Sequence, residues 1–122
     1  MRKDWENMDI KLIRNEGCHI WQTAEGVLKE ALKEANLPGE YEIIVVKNDE
    51  EAKSYRFFGS PQITIDGVDI DPSSEKATQF QASGCRIYMW EAEGLEGTRS
   101  RKMYEYPPKE MILEALRKGS DI

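Results

Sequence analysis

The chain offers three side chains suited to nucleophilic or soft-ligand chemistry: Cys18, Cys85 and the single imidazole, His19. Cys18 follows the apolar run Ile10, Leu12, Ile13 and the turn residues Asn15, Glu16 and Gly17. Beyond it, Ile20, Ala24, Val27, Leu28, Ala31, Leu32 and Ala35 recur at helical spacing, which predicts a strand, a turn and a helix opening at about Cys18. A thiol at a helix N-terminus sits among unpaired amides, and the helix dipole favours its thiolate. Such a group can attack a disulfide or hold a thiophilic ion. The plainer reading of Cys18 is a small buried hydrophobe.

His19 could stabilise a Cys18 thiolate or relay a proton, because an imidazole titrates near neutrality. Neighbouring helical residues point about 100° apart, however, so solvent is its more natural direction. Glu16 and Glu25 would oppose the thiolate if close. Cys85 is the second thiol, a distant resolving partner or an ordinary packed residue at the head of a strand. Trp21 could line a substrate groove or cover the core.

Two cysteines and one histidine cannot fill a four-ligand structural zinc site within one chain, and no cofactor is expected. In a reducing compartment two cysteines read as free thiols or a transient redox pair rather than a structural staple. Asp66, Asp69 and Asp71 lack EF-hand spacing, and turn chemistry accounts for Asp66-Gly67. Arg99, Arg101 and Lys102 beside Tyr104 and Tyr106 form a basic cluster able to dock an acidic partner or a thiol conjugate. A solvated surface connection is the simpler account.

With 122 residues the chain has the size of one domain. Its net charge of −6 opposes the phosphate neutralisation that drives nucleic-acid binding. The longest apolar run, residues 43–46, is far short of the roughly 20 residues a bilayer requires. No apolar leader follows the polar residues 1–7, so the expected location is cytoplasmic and no membrane partner is expected.

Further elements follow from pattern. Residues 41–46 are β-branched and nearly continuous, which predicts an internal parallel strand covered on both faces. Asn48 can cap a short helix, with Glu51 placed to complete a capping box. Residues 62–65 alternate after Ser60-Pro61 and close at Asp66-Gly67. Residues 86–90 read as a further strand, pairing with 62–65. Pro107 and Pro108 open a last helix with Met111, Ile112, Ala115 and Leu116 on one face. The resulting division is a flexible extension at 1–8 and one α/β domain at 9–119, with polar loops at about 67–84 and 91–106.

This order, strand–helix–strand, helix, then strand–strand–helix around a mixed four-stranded sheet flanked by helices, resembles the thioredoxin fold over residues 9–118. The marks are Gly17-Cys18 at the first turn and Ser60-Pro61 heading the third strand. Gly17-Cys18-x-x-Trp21, Phe58-Gly59-Ser60-Pro61, Asp66-Gly67-x-Asp69 and Cys85-Arg86-Ile87-Tyr88 together look like a family of small thioredoxin-like proteins, some associated with mercury resistance or alkylmercury lyase. The resemblance carries no assigned activity with it.

It implies a cis-proline at Pro61 facing Cys18, with the Ser60 amide and carbonyl open to a docking substrate. It also exposes a departure: Trp21 stands where thioredoxins carry their second cysteine. If 86–90 pairs antiparallel with 62–65, Cys85 lies at the far end of the third strand, about 13 Å or more from Cys18. The segment 68–84 could instead bring it back. Three functions follow: mixed-disulfide formation at Cys18 with a thiol protein or small thiol; soft-metal binding by Cys18 and Cys85; or an interaction module that keeps only the fold.

Overall fold

A computed structural model of the chain describes residues 8–93 and 99–120. Their core is a mixed four-stranded sheet in the order β2-β1-β3-β4. Strand β1 (Ile10–Asn15) is central; it pairs in parallel with β2 (Glu42–Val46) and antiparallel with β3 (Gln62–Ile65). Helix α1 (Trp21–Glu34) makes the crossover from β1 to β2, as parallel neighbours require.

Alternation along the strands divides the core between the two faces of the sheet. Ile10, Leu12, Ile63 and Ile65 pack against Leu28 and Leu32 of α1 and Met111, Ile112 and Leu116 of α3 (Lys109–Ser120). Ile13 and Val46 face the other way, towards Ala52 of α2 (Asp49–Ser54) and Phe57. Helix α2 is held open at its start as expected: Asn48 Oδ1 accepts the Glu51 amide at 2.9 Å, and Asn48 Nδ2 donates to Glu51 Oε1 at 3.3 Å. None of the described helices is long and apolar enough to cross a membrane.

Several expectations are corrected. The fourth strand is β4 (Val68–Asp69), not residues 86–90; the Asp66-Gly67 turn folds it straight back on β3. A run of two residues has no legible period, so it is hidden in a polar stretch. The expected loop at 67–84 also contains a 3-10 helix, Pro72–Lys76, capped by Asp71. The expected loop at 91–106 is largely a hairpin of β5 (Tyr88–Glu93) and β6 (Arg99–Tyr104), paired with each other in a separate sheet.

Strand β2 is an edge rather than an internal strand, and Glu42 and Ile43 are exposed. The first helix opens at Trp21, three residues after Cys18. Met8, expected in a flexible extension, packs half-buried against the core, while the rest of that extension lies outside the described residues. The last helix runs on through Gly119 to Ser120.

Candidate functional site

The turn after β1 carries Cys18, whose amide donates to the Asn15 carbonyl at 3.4 Å. Asn15 reaches two other segments. Its backbone amide donates to Ser60 Oγ at 3.3 Å, and its side-chain amide donates to the Gly84 carbonyl at 3.0 Å. Residues 18, 60 and 84 therefore meet on one asparagine, at the end of the sheet where β1 finishes and β3 begins.

The Ser60-Pro61 peptide is cis, as the resemblance implied. Its backbone is not open to a substrate, however. The Ser60 amide donates to Gly84 and its carbonyl accepts the Arg86 amide, both at 3.1 Å, forming an isolated parallel bridge between Ser60 and Cys85. Cys85 thus lies at the head of β3, on the Cys18 side, and not at its far end. The long return through residues 70–84 reverses the placement that simple pairing suggests.

The exposures of the two sulfur residues also depart from expectation. Cys18 is buried at 8% and Cys85 is exposed; both are free thiols. His19 is exposed in the bend before α1. Trp21 packs half-buried against the core, with the Arg14 guanidinium 4.5 Å from its ring centroid, so it serves as a cover. Glu25 accepts the Tyr41 hydroxyl at 2.6 Å, and burial with that bond pushes the Tyr41 phenol up to about 12. Among the described residues no group of three or more His, Cys, Asp or Glu side chains is placed to hold a metal ion.

Arg86 enters the sequence only as part of the Cys85-Arg86-Ile87-Tyr88 motif, with no role of its own, yet it anchors this end. It is 4% exposed, and its guanidinium lies 4.1 Å from the Phe58 ring centroid and 4.6 Å from that of Tyr88. It donates to Asp69 Oδ2 at 2.5 Å, to Gln62 Oε1 at 3.2 Å and to Asp71 Oδ2 at 3.4 Å. Burial works against the Arg86 charge, but Tyr88, Asp69 and Asp71 together outweigh it and hold the pKa above its ordinary value. Burial pushes Asp69 upward against the lowering pull of Arg86.

The same cluster grips the proline. Tyr88, fully buried, donates its hydroxyl to the Pro61 carbonyl at 2.5 Å, and burial raises its phenol. A Cβ on Gly59 would come within 2.6 Å of Arg86 Cγ and 3.0 Å of the Cys85 carbonyl carbon. Glycine is what allows the two segments to approach this closely. The Cys-Arg-x-Tyr order could have signalled this arrangement, because Arg86 and Tyr88 alternate inwards along an extended segment.

The basic cluster falls partly outside the described side chains. Lys102 is exposed, but Tyr104 and Tyr106 pack half-buried on the core with ring centroids 6.3 Å apart. The side chains of Arg99 and Arg101 lie outside the described residues. In comparisons with known proteins, no family model, no curated protein and no solved structure matches this chain.

Proposed function

We propose that this is a thioredoxin-like thiol protein in which Cys18 and Cys85 work as a pair in thiol–disulfide exchange with a thiol protein or small thiol. The observation that carries the reading is the Ser60–Cys85 bridge, which holds Cys85 at the same end of the sheet as Cys18. The sheet order and the cis-proline heading β3 support the thioredoxin-like part. Exposure then divides the labour. Cys85, the accessible thiol, meets the incoming disulfide, and buried Cys18 resolves the product.

The step balances as ordinary exchange. The Cys85 thiolate attacks a disulfide RSSR, forming the Cys85–SR bond and expelling RS⁻. The Cys18 thiolate then attacks Cys85 Sγ, expelling the second RS⁻ and leaving a Cys18–Cys85 disulfide. The external disulfide is reduced by two electrons and the protein oxidised by two.

Glutathione disulfide is a suitable probe, with products read by mass spectrometry. Wild type should end with an internal disulfide and no adduct; Cys18→Ser should accumulate one adduct on Cys85; Cys85→Ser should react slowly. A stable adduct on wild type without the internal disulfide rejects the pairing. The placement of both thiols at one end of the sheet favours a second reading, a two-coordinate soft-metal site. Mercuric ion bound equally by wild type and both serine variants removes it.

A further inference from the structure

At the opposite end of β3 from the thiols lies a cavity of about 390 Å³, within the size range of sites for small organic ligands. Its walls are largely hydrocarbon. Trp90 lines it together with Met111 and Ala115 of α3.

The carboxylates around it fall into two groups. Asp69 and Asp71 are engaged by Arg86. Asp66 accepts only the Asp9 amide, and Glu75 and Glu114 make no ion pair among the described residues. Lys118 is the one lining cation against these three. We infer that this cavity binds an organic cation, an apolar or aromatic body bearing a protonated amine.

Charge complementarity selects that class. The apolar body gains by leaving water against Trp90, Met111 and Ala115. Its ammonium stays at the mouth, near Asp66, Glu75 and Glu114, and keeps part of its hydration. A carboxylate of the same shape would meet three acids against one lysine, on a chain whose net charge is −6. The inference does not rest on the thiol reading, since none of Cys18, Ser60 and Cys85 lines the cavity; Asp69 and Asp71, which do, are already held by Arg86.

The test uses the full chain and three probes of one shape: 2-(1-naphthyl)ethylamine, 2-(1-naphthyl)ethanol and 1-naphthylacetate. Binding is read from the NMR signal of the Trp90 indole, assigned by substitution. The amine should bind about tenfold more tightly than the alcohol, because only its ammonium can pair with the rim carboxylates. The acetate should be the weakest. Glu75→Gln with Glu114→Gln, both at exposed positions, should bring the amine close to the alcohol. Ala115→Phe should block both. Equal affinity for amine and alcohol overturns the inference, as does tighter binding of the acetate. So does a Trp90 signal that no probe moves at millimolar concentration in the folded wild type.

Discussion

Ser60 and Cys85 lie side by side in a single parallel bridge, with the Ser60 amide and carbonyl both spent on the residues flanking Cys85. The backbone edge beside the cis-proline is therefore filled by the protein's own segment 84–86. An incoming chain must displace that segment or approach Cys85 from the solvent side.

Asn15 ties this segment to the Cys18 turn. Asn15→Ala removes the hydrogen bond to the Gly84 carbonyl, worth about 0.5–1.5 kcal/mol. If that energy serves to keep Cys85 beside Cys18, internal disulfide formation should slow by about two- to tenfold. Quenched alkylation after a pulse of glutathione disulfide measures the rate. An unchanged rate would show that Asn15 does not govern the approach.

At Gly59 the backbones leave no room for a side chain. Gly59→Ala places a methyl 2.6 Å from Arg86 Cγ and 3.0 Å from the Cys85 backbone. The flexible arginine stem can yield, but the backbone must also shift, so a loss of about 1–3 kcal/mol is expected in urea unfolding. Iodoacetamide should also modify Cys85 at an altered rate.

Among the described residues, Arg86 is the one guanidinium between two largely buried carboxylates. Arg86→Met leaves Asp69 and Asp71 without their cation, and stability should fall by about 3–5 kcal/mol. Adding Asp69→Asn and Asp71→Asn to that variant removes the stranded charges and should restore most of the loss. Denaturant midpoints of the two variants decide this; equal midpoints would assign the cost to lost packing of the arginine stem.

Tyr41 gives the alkaline limb of the stability profile a distinct origin. Its phenol is raised from 10.0 to about 12 in the folded chain. Between those values the unfolded chain sheds this proton first, so stability is fully present below about pH 10 and falls as pH rises towards 12. Tyr41→Phe should flatten the fall over that interval in thermal melts. Phenolate absorbance should lose a component titrating near pH 12 in the same variant, while the fully buried Tyr88, raised further, is unaffected.

What the sequence made legible was local. Asn48 and Glu51 are three residues apart, and their cap forms as their types dictate. Residues 62–65 begin after a proline and end at a positive-φ Asp66-Gly67 turn, so strand β3 announces both of its limits. The first three strands of the mixed sheet follow from such pieces. The fourth strand did not, because Val68 and Asp69 are too few to carry a period.

The site was legible only in its residue types. Cys18, Ser60, Pro61 and Cys85 do gather at one end, but the gathering depends on a bridge between residues 25 positions apart in sequence. Arg86 and Asp69 belong to residue types that are seldom buried singly. They are buried because they neutralise each other, a property of the pair that neither residue displays alone.

Strand β4 has a consequence for self-association. The outer margin of a sheet is a row of free amides and carbonyls on which a foreign strand can template itself. Here that margin is two residues long, because Asp69 turns its carboxylate to the Asp71 amide at 2.8 Å and the chain bends into the 3-10 helix. So short a margin gives a growing fibril little to grip on that side of the molecule.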